Sequence, residues 1–296
     1  MHAPLFILAP PRSFTSVVST MLGQHPQMYA LPETDLFTTD SLGEWWRTHP
    51  PGSGGFARSG LLRTIAELCF GEQSEEAVHR ARAWILQRRE WPTAFVFSEL
   101  MGRVHPLVLV EKSPTTALQP ENLQRTLHHF PHARFMHLLR HPSTHRRSAL
   151  AVLEKNGHRG PRHSDVRLNI ETCRQWYVAN TNISTFLASL PDVQQFRIRG
   201  EDLLADPQSH LRAVSRWLRI RADDAAIGAM QHPELSPFAC IGPRNAPFGN
   251  NPSFLERPHL NAHKAKAPAG AVPEVTPDQL PLPHGVRRLA RAFGYE

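Results

Sequence analysis

Short apolar runs alternate with longer amphipathic stretches along this chain. Apolar runs bounded by turn residues are typical of strands buried on both faces of a parallel sheet. The predicted strands are 5–9, 28–31, 107–110, 133–139 and 195–199. The predicted helices, where apolar residues recur with a helical period, are 17–22, 61–70, 75–89, 120–130, 168–190, 211–218 and 286–293, with a further helix starting at Ser143. This alternation predicts an α/β fold of three layers, a parallel sheet flanked by helices.

Two segments interrupt the alternation. Residues 48–60 are rich in Pro, Gly and Ser, which predicts a loop. Residues 233–283 lack periodicity, and such a long segment is either disordered or functional. Because 296 residues can bury one large core with a smaller lid, we expect a single domain spanning 1–296, with about 235–283 as an irregular lid that contacts the ligand.

The turn after the first strand carries one cation and several hydroxyls. Arg12, Ser13, Thr15 and Ser16 lie between the strand and the helix, where free backbone N–H groups and the helix dipole favour an anion. The simpler alternative is that Ser13 only caps the helix. The Gly-x-x-x-x-Gly-Lys-Ser/Thr pattern of nucleotide hydrolases is absent, so this turn predicts a phosphate site of another kind.

Charged residues also follow the next three strands. Glu33 follows the second strand, Lys112 the third and Arg140 the fourth, with Ser148 on the helix after it. Ligands of open α/β sheets bind at the carboxyl ends of the strands, so these residues are candidates for acid–base chemistry and anion binding. The alternatives are a surface acid or helix cap, a solvated lysine and a structural ion pair.

Composition narrows the ligand class. The formal net charge is +7, which suits an anionic ligand, but no Lys/Arg run interleaved with aromatic residues predicts nucleic-acid binding. No apolar run is long enough for a membrane span, and no signal peptide is expected. The three cysteines are far apart and the 18 histidines are scattered, so we expect reduced thiols, a cytoplasmic protein and no metal site.

Four segments together resemble sulfotransferases that use 3′-phosphoadenosine-5′-phosphosulfate (PAPS). Residues 11–16 (Pro-Arg-Ser-Phe-Thr-Ser) resemble the family loop for the 5′-phosphosulfate, usually Pro-Arg-Ser-Gly-Thr-Thr. Residues 135–142, ending in Arg-His-Pro, together with Ser148 resemble the 3′-phosphate motif. Residues 199–207 resemble the Arg-Tyr-Glu-Asp-Leu segment, and residues 289–295 a common family ending. The resemblance implies a P-loop-like sulfotransferase fold.

A subgroup of the family is similar at two further places. The spacing from Arg12 to Glu33 is similar to that in tyrosyl-protein sulfotransferases, in which a glutamate at this place is the base. Residues 111–114 (Glu-Lys-Ser-Pro) look like their lysine-containing segment. Residues 248–259 resemble bacterial sulfotransferases, including domains of polyketide assembly lines. The resemblance therefore implies a bacterial-type enzyme.

Three substitutions depart from the family pattern, and one of them, Ser16 in place of threonine, keeps the hydroxyl. Phe14 stands at the usual glycine, and we expect it to have an ordinary backbone conformation and to face the acceptor channel. Gly200 stands where some relatives have a tyrosine that helps to hold the cofactor.

The resemblance implies a role for each candidate residue. Residues 12–16 (Arg12, Ser13, Phe14, Thr15 and Ser16) would bind the 5′ end of PAPS, with Arg12 and Lys112 stabilising charge on the leaving oxygen. Arg140 and Ser148 would bind the 3′-phosphate. Glu33 would take the proton from the acceptor hydroxyl, with His259 or His263 as the alternative base.

The implied reaction moves a sulfuryl group from PAPS to a hydroxyl of a small-molecule or carrier-bound acceptor and releases 3′-phosphoadenosine-5′-phosphate (PAP). Two alternatives stay open. One is a non-catalytic binder of an anionic nucleotide or sugar, and the other is a P-loop kinase of small molecules. Neither the acceptor nor the oligomeric state follows from the sequence.

Overall fold

The computed structural model describes residues 3–50, 56–155, 166–260 and 281–295, with only the backbone of 153–155. Its sheet has five strands, which are β1 Leu5–Leu8, β2 Met28–Ala30, β3 Val108–Glu111, β4 Arg134–Leu139 and β5 Gln195–Arg199. They lie in the order β2-β3-β1-β4-β5, and every neighbouring pair is parallel. The predicted parallel sheet is confirmed, with the first strand at its centre.

The α-helices in the described residues precede, follow and connect these strands. They are α1 Thr15–Gly23, α2 Leu42–Thr48, α3 Phe56–Phe70, α4 Glu75–Gln87, α5 Thr93–Val104, α6 Pro120–His129, α7 Pro142–Lys155, α8 Val166–Leu187, α9 Gly200–Ala205, α10 Pro207–Leu218, α11 Asp224–Ala229, α12 Pro252–Leu255 and α13 His284–Ala292. Short 3₁₀ turns occur at Leu36–Thr38, Pro114–Leu118, Asp192–Gln194 and Pro233–Leu235. None of the described helices is long and apolar enough to cross a membrane.

The central strand β1 shows why the fold has three layers. Its side chains alternate between two buried clusters, because successive residues of a strand point to opposite faces. Phe6 stacks on Phe97 and Phe135 on one face, with ring centroids 5.5 and 5.6 Å away. Leu5 and Ile7 pack on the other face, in the cluster that includes residues of α1 and α10. The fully apolar sequence of the strand is therefore required.

Several helices, among them α2, α5, α11 and α12, and one boundary were not anticipated from the sequence. Helix α2 begins after Ser41, whose hydroxyl accepts the Glu44 N–H at 3.2 Å. The Ser-x-x-Glu pattern at this place is a capping signal that could have revealed the helix. Helix α5 buries Phe97 and Leu100 in the core. Helix α3 begins at Phe56, so the predicted loop 48–60 is too long.

The described part of the irregular segment, up to residue 260, is anchored to α3. Arg63 on this helix is fully buried, and its guanidinium donates to the carbonyls of Cys240 and Phe248, each at 3.0 Å. Phe238 and Ala246 of the same segment are also buried. The segment therefore packs as part of the core, because a buried arginine replaces the backbone partners that regular structure would supply. Its role as a lid remains a prediction.

Strand register brings the predicted turns to one edge of the sheet. Ala30 pairs with Val110, so the residues after β2 and β3 leave the sheet side by side. Leu139 pairs with Arg199, so Arg140 and the start of α9 are also neighbours. Because all strands are parallel, these turns and the turn after β1 meet at the same carboxyl edge.

Candidate active site

The turn between β1 and α1 has an unusual backbone. Arg12 and Phe14 adopt left-handed conformations, with φ of 70° and 63°. Left-handed residues in such a turn are typical of concave sites that present backbone N–H groups to an anion. The expectation of an ordinary backbone at Phe14 is therefore wrong. This phenylalanine adopts the conformation that glycine usually supplies.

The two basic turns touch each other. Arg12 donates from Nε to the hydroxyl of Ser148 at 3.2 Å. Arg140 donates from Nη1 to the carbonyl oxygen of Arg12, and from Nε to the hydroxyl of Thr144 at 3.1 Å. The sequence predicted two separate anion sites, and the structure joins them into one surface that carries two guanidinium groups.

The charge of this surface comes from its arginines. Burial lowers the pKa of Arg140 to about 10, and this guanidinium is still protonated at neutral pH. His145 is also buried here, and burial lowers its pKa to about 3. Its Nε2 therefore belongs to a neutral ring and lies 2.8 Å from the carbonyl oxygen of Pro11. The histidine fixes the turn without adding charge.

Two serine hydroxyls in these turns are buried without a partner. Ser13 Oγ and Ser143 Oγ have no hydrogen-bond partner among the described residues. An unpaired buried hydroxyl costs free energy unless a ligand satisfies it. Phosphate oxygens are suitable acceptors for such donors, so the residues present fit a cofactor that carries phosphate groups.

Glu33 and Lys112 form an ion pair beside the turn between β1 and α1. Lys112 is fully buried, and its Nζ lies 2.8 Å from Glu33 Oε1 and 3.4 Å from the hydroxyl of Ser16. The Glu33 side chain is 17% exposed. Burial raises its pKa, although the charges of Lys112 and Arg12 oppose this shift. The predicted acid and the predicted lysine are thus in contact, and the lysine also contacts Ser16 at the start of α1.

A buried hydrogen-bond network holds the loops that carry this pair. The Ser113 hydroxyl accepts the backbone N–H groups of Thr34 and Asp35, at 3.1 and 2.8 Å, and donates to the carboxylate of Glu111. Glu111 also accepts the Thr34 hydroxyl at 3.2 Å and the Ser113 N–H at 3.1 Å. Residues on either side of Lys112 therefore bind the residues that follow Glu33.

Two glycines hold the backbone of Glu33. A Cβ atom on Gly60 would lie 1.9 Å from the Glu33 carbonyl oxygen. Gly249, with φ of +117°, accepts the Glu33 N–H at 2.7 Å and lies against Gly60 so closely that a Cβ would be 2.9 Å from its Cα. Sequence reasoning missed both residues. Gly60 lay at the end of the predicted loop 48–60, where a glycine is expected anyway and carries no separate signal.

Comparison with known proteins identifies the family. The sequence model of the sulfotransferase family matches residues 4–224. The chain belongs to the sulfotransferase family. No curated protein matches it.

Two solved structures share the fold over their whole length. The sulfotransferase domain from the curacin biosynthetic pathway has 24% sequence identity and a TM-score of 0.80, covering 100% of this chain and 99% of that chain. The sulfotransferase domain from the Synechococcus PCC 7002 olefin synthase has 21% identity and a TM-score of 0.78, covering 100% and 97%. The predicted sulfotransferase fold is confirmed.

In this sulfotransferase the Phe14 ring lies where the turn after β1 meets the turn after β4. The Cζ atom of Arg140 lies 4.3 Å from its centroid. A Cβ atom on Gly200 would lie 2.5 Å from Phe14 Cδ2, so the ring needs the glycine. These contacts lie at the second basic turn, and the expectation that Phe14 faces an acceptor channel stays a prediction.

The last two family motifs hold each other in this sulfotransferase. Glu201 accepts the Tyr295 hydroxyl at 2.9 Å and the backbone N–H of His141 at 2.9 Å. Arg199 pairs with Asp202 at 2.6 Å. Glu201 therefore connects the C-terminal end of the described chain to the residue after Arg140, a link that sequence spacing does not reveal.

The remaining predicted residues differ in position. Thr15 is buried at the start of α1. His259 is 72% exposed and lies 3.9 Å from the carboxylate of Glu234. His263 lies outside the described residues. Within the described ranges no group of three or more His, Cys, Asp or Glu side chains is arranged for a metal ion, and the absence of a metal site stays a prediction.

Proposed function

We propose that this sulfotransferase transfers a sulfuryl group from PAPS to a hydroxyl of a small-molecule or carrier-bound acceptor. One observation carries the proposal: two basic strand-to-helix turns touch each other, and a carboxylate–lysine pair adjoins the first of them. A donor with phosphates at two positions of its ribose requires two anion sites, and a hydroxyl acceptor requires a base nearby.

The two basic turns would hold PAPS, the donor of the sulfuryl group. PAPS supplies a sulfuryl group on a good phosphate leaving group, so the protein mainly positions groups and stabilises charge. Arg12 and the N–H groups of its turn bind the 5′ end, and the hydroxyl of Ser13 adds a donor. Arg140 and Ser148 bind the 3′-phosphate, because a guanidinium matches a phosphate in a bidentate manner.

Glu33 would be the general base. A carboxylate whose pKa is raised by burial accepts a proton better near neutral pH than an exposed one. Lys112 contacts both Glu33 and Ser16, so it is placed to stabilise charge on the leaving side while it orients the base. His259, exposed and close to Glu234, is the weaker candidate.

The acceptor would reach the Glu33 carboxylate through the 17% of this side chain that is exposed. The similar structures come from a biosynthetic pathway and an olefin synthase, which supports a hydroxylated biosynthetic intermediate, free or carrier-bound, as the acceptor. A cytoplasmic location stays part of the proposal, supported by three free cysteines.

Calorimetric titration with PAP tests the donor assignment. We expect the wild type to bind PAP and Arg140→Ala to bind it about 10- to 150-fold more weakly, the value of a hydrogen bond to a charged group. Arg174→Ala, which removes an exposed arginine of α8, is the matched control and should not change affinity. Equal affinity of wild type and Arg140→Ala would refute the assignment.

Transfer of radiolabelled sulfate from PAPS to a panel of hydroxylated acceptors tests the reaction. PAP binding with no transfer to any acceptor would favour a non-catalytic binder. Binding of ATP with Mg²⁺ in place of PAP would favour a kinase.

A further inference from the structure

Phe14 combines a strained backbone with a specific side-chain position. A left-handed conformation is unfavourable for a residue with a Cβ, so the contacts of the ring must compensate for it. The ring lies between Gly200 and Arg140 and also packs against the apolar cluster around α1. The space above Gly200 is therefore filled from the phosphate turn.

Arg140 is held by three different groups. Its Nε donates to Thr144, its Nη1 donates to the carbonyl of Arg12, and its Cζ atom lies over the Phe14 ring, 4.3 Å from the ring centroid. The two hydrogen bonds use two of the five guanidinium N–H donors, which leaves three for a ligand. The ring and the two hydrogen bonds together restrict how these donors can turn.

We propose that Phe14 is a positioning residue that orients Arg140 toward the 3′-phosphate of the donor, and that Gly200 is required because it leaves room for the ring. This inference rests on the proposed function. A stacked guanidinium loses less rotational freedom when it binds a bidentate phosphate than a free one does. The pair Phe14–Gly200 therefore sets selectivity for nucleotides that carry a 3′-phosphate.

The selectivity for a 3′-phosphate can be measured, and it distinguishes a role of Phe14 in positioning Arg140 from a role in the general stability of the protein. PAP has a 3′-phosphate and adenosine 5′-monophosphate has none. Loss of the ring should weaken PAP binding several-fold more than it weakens the binding of adenosine 5′-monophosphate, because only the 3′-phosphate uses Arg140. A purely structural role of Phe14 would weaken both ligands together.

Calorimetry on two single variants tests the proposal. Phe14→Leu keeps an apolar side chain and the same backbone strain but removes the aromatic face. Gly200→Ala places a Cβ 2.5 Å from the ring carbon Cδ2 and displaces the ring. We expect each to raise the Kd for PAP by about 3- to 30-fold. If Phe14→Leu does not fold by circular dichroism, Gly200→Ala decides alone.

Two double variants complete the test. Phe14→Leu should have no further effect in an Arg140→Ala background, and Gly200→Ala should have less than about a 2-fold effect in a Phe14→Gly background. Unchanged PAP affinity in the single variants, or equal losses for both nucleotides, overturns this inference while the proposed function stands. A wild type that does not bind PAP overturns both.

Discussion

Two regions lie at the same edge of the sheet: the basic turns after β1 and β4, called the anion turns below, and the loops after β2 and β3, which carry Glu33 and Lys112. They differ in how many of their buried polar groups have hydrogen-bond partners. In the anion turns, the buried hydroxyl of Ser13 has no partner in the described part of the chain. In the other region, the hydroxyl of Ser113 accepts two backbone N–H groups and donates to Glu111. One buried serine lacks hydrogen bonds, whereas the other has all that a hydroxyl can make.

This difference indicates two ways of preparing a site. Unpaired donors and left-handed backbone at Arg12 and Phe14 cost stability that a bound anion would offset. The network around Ser113 leaves neither its hydroxyl nor the two backbone N–H groups unpaired, so it holds Glu33 and Lys112 in place whether or not a ligand is bound. We infer that a bound anion stabilises the turn at Arg12 and Phe14, whereas Glu33 is already in position before any ligand binds.

The largest expected effect is at the base. Glu33→Gln keeps an acceptor for Lys112 but cannot take a proton, so turnover with an accepted hydroxyl should fall by about 10²- to 10⁴-fold. The Kd for PAP should stay within about 2-fold, since the donor turns are untouched. Steady-state kinetics and calorimetry measure the two quantities. Wild-type turnover in Glu33→Gln would assign the proton to another group.

The pH dependence of turnover sharpens the same point. Glu33 must be ionised to act, so kcat/KM should fall as the pH drops through its pKa. Burial raises this pKa, so the acid limb should lie above the range of an ordinary carboxyl group. A pH–rate profile with its acid limb at the ordinary value would contradict the burial argument.

The next effect concerns the pH dependence of stability. Burial raises the pKa of Glu111 from 4.5 to about 7, so the folded state binds this proton more tightly than the unfolded state. The stabilisation is complete below about pH 4.5 and is lost as the pH rises to about 7, a change of about 3 kcal/mol. Glu111→Gln should lack this slope in urea unfolding at a series of pH values. Parallel profiles for the two proteins would count against it.

A matched pair of serine substitutions compares the two regions directly. Ser113→Ala should lower the free energy of unfolding by about 2 kcal/mol, because two buried N–H groups lose their acceptor. Urea denaturation measures this loss. A change below about 0.5 kcal/mol would mean that the network does not hold the loops.

The smallest effect is expected at the other serine. Ser13→Ala removes an unpaired hydroxyl, so stability without ligand should be unchanged or slightly higher, while PAP affinity should fall by about 5- to 10-fold. Calorimetry and urea denaturation give both numbers. A loss of stability as large as that of Ser113→Ala would remove the distinction between the regions.

Several features of the site were predictable from local patterns. Apolar runs bounded by turns predicted the five strands, and the residues after them included Arg12, Glu33, Lys112 and Arg140. The rule that parallel strands present their carboxyl ends at one edge then placed these residues together. Helix α2 was missed although its Ser41 cap is present in the sequence.

Contacts between distant residues were not predictable in this way. Gly60 and Gly249 meet at Glu33, and Phe14 lies on Gly200, because backbone segments from different parts of the chain approach within contact distance. Nothing in the local sequence of a glycine says which segment will approach it. The conformation of Phe14 was predicted wrongly for the same reason, since its cost is offset by distant residues.

The sequence by itself determined which residues stand at the ends of the strands, because burial on both faces requires apolar runs and the turns after them carry the charges. Only the tertiary structure decided how those residues act together. Strand order, helix packing and close backbone contacts join Arg12 to Ser148, Lys112 to Glu33 and Phe14 to Arg140. These pairings depend on three-dimensional distance, which sequence separation does not encode.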